Sequence, residues 1–342
     1  VTRQKPPIVA FDAQGLAEAA RRILAGEPVA VPTETVYGLA ADATDPEAVA
    51  RIYAVKGRPS FNPLIVHVDS LAAAERLADF PPAARALAEA FWPGPLTLVL
   101  PRRATSGLAP AVSAGLATVA VRVPGHPAML ALLRAAGRPL AAPSANASGG
   151  ISPTTAGHVL ASLGARAPLI LDGGPTERGV ESTIVAVGSD GVRVLRPGPV
   201  TSEQVAAALR RTHPRPLPSK EGGMGAALAP GEGTAEAPVP SGAGRIEAPG
   251  MMARHYAPSK PVRLDAREAE ADEWLIGFGP VHGDDSLSPR GDLAEAAARL
   301  FAALHRAEAS PRPRIAVARV PAEGIGVALN DRLRRAAAPR ES

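Results

Sequence analysis

Over its first two hundred residues the chain alternates short β-branched runs with Ala-rich stretches of helical period, a pattern that restricts it to an α/β architecture. Strands are expected at 28–32, 64–68, 96–100, 118–123, 139–142, 169–172, 183–187 and 192–196. Helices are expected at 13–25, 46–55, 71–78, 82–91, 126–136, 153–163 and 202–211. Asp45-Pro46 and Ser152-Pro153 each set a capping residue before a proline suited to the first helical position. The neighbouring runs 183–187 and 192–196 read as a hairpin, so the sheet should be mixed rather than wholly parallel.

A chain of 342 residues exceeds one usual domain. From His213 to Pro249 the composition shifts to Pro, Gly, Ala and Ser with no period of 2 or 3.6, which reads as a tether. The division expected is a catalytic α/β unit at 10–212, a linker at 213–260, and a smaller three-layer αβα unit at 261–338. That last unit has strand patterns at 261–264, 274–278 and 314–319, and helical ones at 292–306 and 328–338. Only 3% of residues are aromatic against 46% hydrophobic, so Ala, Val, Leu and Ile must fill both cores.

Cysteine is absent, which rules out disulfides, thiolate nucleophiles and Cys-ligated metal centres. No apolar run approaches about 18 residues and residues 1–11 carry no apolar leader, so neither a membrane span nor a signal peptide is expected, and the location expected is cytoplasmic. The common nucleotide and hydrolase signatures are also missing: no P-loop, no dinucleotide fingerprint after a strand, no zincin helix and no nucleophile elbow.

Four other segments carry polar groups suited to chemistry. Pro32-Thr33-Glu34-Thr35-Val36-Tyr37-Gly38-Leu39 follows a strand and sets hydroxyls and a carboxylate beside a Gly turn. Lys56-Gly57-Arg58 ends a helix in a chain where Arg far outnumbers Lys, and could clamp a polyphosphate or simply offset the helix dipole. Ser144-Ala145-Asn146-Ala147-Ser148-Gly149-Gly150 offers backbone N–H groups and small polar side chains to an anion, with Ser152 also readable as an ordinary cap. Glu181-Ser182-Thr183, Arg196 and Arg122 lie at strand ends. Singly, each Arg has the alternative of a surface ion pair.

Together these words resemble the threonylcarbamoyl-AMP synthase family, the YrdC-domain proteins, over about residues 10–210. PTETVYGL, KGRPSFNPL, FWPGPLTLVL, VAVRVPGHP, APSANASGG and ESTIV stand in the family's order. Residues 248–258 resemble the linker motif of the longer, two-domain version, and 325–335 its C-terminal helix. The resemblance implies a twisted mixed-sheet YrdC-like domain that condenses ATP, bicarbonate and L-threonine to threonylcarbamoyl-AMP and pyrophosphate. The product serves N6-threonylcarbamoyladenosine formation in tRNA, through a downstream transferase complex. It also implies a catalytic group of Lys56, Arg58, Ser144 and Asn146. ATP would be held by Arg58, Asn62, Thr118, Ser144, Ser152 and Arg196, with Tyr256 covering it from the linker. Threonine would be held by Thr35, His67, Arg122, Ser182 and the backbone of Ala142. No resident metal is implied; magnesium would arrive with ATP. The alternative from another class is an RNA-binding module using a basic concave surface. The hydrogenase-maturation carbamoyltransferases share the domain, but their zinc-finger modules need cysteines that this chain lacks.

Overall fold

The structure, a computed structural model, describes residues 8–212, 247–250 and 254–339. The tether expected at 213–249 therefore lies almost wholly outside the described residues, as do 251–253 of the linker motif.

Ten strands form one mixed sheet: β1 (Ile8–Ala10), β2 (Val29–Pro32), β3 (Tyr37–Asp42), β4 (Ile65–His67), β5 (Leu96–Pro101), β6 (Thr118–Arg122), β7 (Leu140–Ala141), β8 (Leu169–Asp172), β9 (Thr183–Gly188) and β10 (Gly191–Arg196). Their order is β1-β8-β2-β3-β7-β4-β6-β5-β9-β10. The expected hairpin is present, with β9 and β10 antiparallel and a bulge between Val194 and Arg196. The helices of this unit are α1 (Ala13–Leu24), α2 (Pro46–Lys56), α3 (Leu71–Glu75), α4 (Pro82–Phe91), α5 (Pro127–Ala136), α6 (Ala156–Leu163) and α7 (Ser202–Thr212).

The helices cover the two faces unequally, and that inequality makes the cleft. Residues of α2, α3, α4, α6 and α7 pack with Leu39, Val66, Leu98, Val121 and Val185 into the larger core. On the opposite face α1 and α5 cover only the strands near β2, through Ile23, Met129, Leu132, Val29 and Leu171. The rest of that face shows Ile65, Val99, Ala120 and Ile184, roofed by Ala248 of the linker rather than by a helix.

Two sequence expectations change. Asp45 does cap α2, its carboxylate accepting from Glu47 N, but Ser152 does not cap α6. Thr155 does so instead, because the Pro153 carbonyl is already taken by Tyr37 N at 2.8 Å and holds 152–153 extended beside β3. Strands β1 and β3 were not expected; β3 is buried along almost its whole length and so lacks the alternation that marks a half-exposed strand.

The second unit has a parallel four-stranded sheet, ordered β11 (Val262–Ala266), β14 (Arg314–Ala318), β12 (Glu273–Gly277), β13 (Asp285–Ser286). Helices α8 (Leu293–Ala309) and α9 (Gly326–Ala337) share one apolar cluster with Ile276, Ile315 and Val317. On the opposite face Ala266, Leu275 and Ala316 form a small cluster beside Val281. Val36, Ile151 and Val180 of the first unit enter the α8–α9 cluster, so the two units share apolar packing.

Candidate active site

The polar segments meet on the half-uncovered sheet face. Parallel pairing sets His67 of β4 directly beside Arg122 of β6. Strand alternation turns Ile65, Ala120 and Thr118 to that same side. The turn after β2 brings Thr35 to Arg122, whose Nη1 donates to Thr35 Oγ1 at 3.1 Å and whose Nε donates to the Gly94 carbonyl at 3.1 Å. Glu34 completes the fixation as a buried ion pair, Oε1 standing 2.7 Å from Arg122 Nη2. Burial alone would raise the Glu34 pKa, but Arg122 outweighs it and holds the carboxyl below the usual range. Burial, reinforced by Arg122, pushes His67 down to about 3, so its imidazole is neutral at physiological pH. Its Nδ1 has no hydrogen-bond partner among the described residues.

The Lys-x-Arg and Ser-x-Asn words meet beside these residues, with Arg58 and Ser144 lining the same cavity. Lys56 ends α2, where Gly57 adopts a left-handed C-cap, and its ammonium donates to the carbonyls of Ser144 and Asn146, both at 2.6 Å. Desolvation, with Arg58 close by, drives the Lys56 pKa well down. Arg58 donates to Asn62 Oδ1 at 2.6 Å and to the Pro63 carbonyl at 2.8 Å, which folds the loop back on itself. Its own pKa falls to about 10, chiefly by burial. Arg196 Nη2 donates to the Ser182 carbonyl at 2.9 Å, and Ser182 Oγ pairs with Thr97 Oγ1 at 2.8 Å.

Linker residues close the cavity. Gly250 (φ +83°) approaches Tyr256 so closely that a Cβ there would lie 2.6 Å from the tyrosine oxygen. The cavity among these residues holds about 50 Å³, room for one or two waters. Thr35, His67, Arg122, Ala142 and Ser182 line it. Arg58, Ser144, Arg196 and Tyr256 line it as well.

Five residues named from the sequence stand outside the lining. Lys56, Asn62 and Asn146 lie directly behind it, through the bonds just given and through Asn146 Nδ2, which donates to the Gly150 carbonyl. Ser152 is buried and donates to Glu181 Oε1 at 2.5 Å. Thr118 is four residues from Arg122, roughly 13 Å along β6. Sequence reasoning missed Glu34 as an ion-pair partner, along with Glu181, His255 and Arg332. For Arg332 a signal existed: it continues the apolar stripe of Leu329, Leu333 and Ala336 on α9, where a charged residue needs a partner.

Among the described residues no group of three or more His, Cys, Asp or Glu side chains is placed to hold a metal ion, and no helix is long and apolar enough to cross a membrane.

Comparison with known proteins bears on this geometry. A family model described as telomere recombination, covering Sua5, YciO and YrdC, matches residues 21–198. One described as threonylcarbamoyl-AMP synthase, C-terminal domain, matches 200–338. The threonylcarbamoyl-AMP synthase of Bacillus subtilis is 39% identical over 95% of this chain and 93% of its own length. That of Pyrococcus abyssi is 39% identical over 94% of each. The crystal structure of P. abyssi Sua5 complexed with L-threonine superposes with a TM-score of 0.80, at 36% identity, over 96% of both chains.

Proposed function

Because the chain belongs to the threonylcarbamoyl-AMP synthase family, we propose that its cleft joins ATP, bicarbonate and L-threonine into threonylcarbamoyl-AMP and pyrophosphate. The observation that carries the reading is that one cavity is lined both by Arg122, Thr35 and neutral His67 and by the cationic Arg58 and Arg196. The threonine complex of the P. abyssi relative supports threonine as the amino acid.

Threonine's amine combines with bicarbonate to give a carbamate and water. A carbamate oxygen then attacks the α-phosphorus of ATP, and pyrophosphate leaves. No enzyme nucleophile is needed, so positioning and charge stabilisation are the protein's task. Arg122, locked by Glu34 and Gly94, pairs the threonine carboxylate as a planar fork. His67 Nδ1, which has no partner among the described residues, takes the substrate hydroxyl into a hydrogen bond, beside the Thr35 hydroxyl that Arg122 already holds. Arg58 and Arg196 face the phosphates, while Lys56 fixes the Ser144-to-Asn146 loop, whose Ser144 lines the cavity beside them. Magnesium enters as the companion of ATP, held mainly by phosphate oxygens and water. A nucleotide is far larger than the cavity, so Tyr256 and its neighbours withdraw to admit it and return to exclude water from the mixed anhydride.

The purified chain should release pyrophosphate from ATP only when both threonine and bicarbonate are present. Valine lacks the hydroxyl and leaves His67 unsatisfied, so its kcat/KM should be at least about 10²-fold lower. Equal release with valine, or release without any amino acid, would overturn this assignment of the pocket.

A further inference from the structure

Arg332 is fully buried on α9 of the second unit, yet most of its partners belong elsewhere. Its Nε donates to Glu181 Oε2 at 2.8 Å, across the boundary between the units. Its guanidinium carbon stands 5.0 Å from the centre of the Tyr256 ring, a cation–π distance. Nη1 meets the adjacent Asp331 at 2.7 Å, and Nη2 has no hydrogen-bond partner among the described residues. Burial works against this charge, but Tyr256, Glu181 and Asp331 outweigh it and hold the guanidinium protonated.

The other Glu181 oxygen accepts the Ser152 hydroxyl. The Ser152 carbonyl lies 3.2 Å from His305 Nε2, on α8 of the same second unit. Ser152 is thus gripped at both its polar groups, one directly by the second unit and one through a single carboxylate. Tyr256 is gripped likewise, its ring in contact both with Arg332 and with Phe301, whose centroid is 5.7 Å away. The Tyr256 hydroxyl and Asn146 Oδ1 are also buried without partners among the described residues, so unmet polar atoms gather around the same site. A buried unmet polar atom costs roughly 1–3 kcal/mol, which favours a polar ligand reaching them.

We infer that Arg332 is a positioning residue of the nucleotide site, through which docking of the second unit orients Ser152 and Tyr256 toward ATP. The inference rests on reading the cleft as a nucleotide site. The second unit then completes the catalytic one instead of merely following it along the chain.

The test uses the full chain and two calorimetric titrations, ATP and L-threonine, beside steady-state kinetics. Arg332→Met should raise the ATP Kd and KM about tenfold or more, with threonine Kd within twofold. Arg332→Lys retains the charge but loses the fork, and should fall between. In a Ser152→Ala, Tyr256→Leu background the same Arg332→Met change should add less than twofold. Should Arg332→Met fail to fold, Glu181→Gln and Arg332→Lys carry the measurement. A lower melting temperature with ATP affinity unchanged would overturn the inference, as would equal losses of ATP and threonine binding. Failure of the wild-type chain to release threonine-dependent pyrophosphate would strike the proposed reaction, and the ATP titrations would still report on Arg332.

Discussion

In the four-stranded sheet, the buried carboxylate of Glu273 receives Arg263 at 2.9 and 2.5 Å, Arg314 at 3.1 Å and the Glu270 N–H at 2.9 Å. In the ten-stranded unit, Lys56, Arg58, Arg122 and Arg196 are also buried, but among the described residues only Arg122 has a carboxylate against it, and the other three lean on backbone carbonyls, amides and hydroxyls. Unmet atoms of His67, Asn146 and Tyr256 surround them. A buried charge fully met by protein groups supports the fold, whereas excess buried positive charge with orphan neighbours raises the energy of the free protein and awaits an anion. Charge burial alone does not distinguish the two; the pairing does.

The sharpest way to break this contrast is to remove charge from each sheet. Lys56→Ala or Arg58→Ala should lower adenylate-forming turnover by about 10²–10³-fold. Thermal stability should change little, because the burial penalty on these cations offsets the hydrogen bonds they make to buried acceptors. Turnover within threefold of wild type in both folded variants would place the chemistry elsewhere. Glu273→Gln should do the opposite, costing about 1–3 kcal/mol in chemical denaturation while leaving kcat and both KM values unchanged. A kinetic defect there would mean that the second sheet's charges are not purely structural.

Acid separates the two regions more gently. His67 and His305 are pushed down to about 3 and His158 to about 4, in each case first by burial. The unfolded chain therefore takes up these protons first, and stability falls as pH drops below about 6.5, continuing toward those folded values. Glu273, held at about 2 chiefly by its hydrogen bond from Arg263, keeps its contribution down to about pH 4.5 and loses it below. The melting temperature should thus fall by a few degrees between pH 7 and 5. His158 and His305 stack at the contact between the units, 3.9 Å apart, so replacing both by Gln should flatten that slope. A slope unchanged in the double variant would remove the stacked pair as its source.

What the residues disclosed follows the same physics. The α/β class, the β9–β10 hairpin and the Asp45 cap were legible because each rests on local pattern. Strand β3 was not, since Tyr37-Gly38-Leu39-Ala40-Ala41 is buried on both faces and carries no period. Ser152 was misread as a cap because Ser-Pro satisfies the local rule, and only the distant partners Tyr37 and Glu181 override it. The motif words could be read in order along the chain. That they meet around one cavity depends on strand order, and the contact of Arg332 with Glu181, 151 positions earlier, has no local trace.

Strand order also has a consequence for how the chain is made. The edge strand β1 hydrogen-bonds to β8, which inserts between it and β2, while β5 finds its outer neighbour only in β9. A ribosome will have delivered β1, β2 and β5 long before the segments that shield their edges. Until residue 196 has emerged, bare strand edges invite pairing with other nascent chains. Fragments ending short of β8 should therefore aggregate, and this sheet should close late and slowly, once most of its length is available.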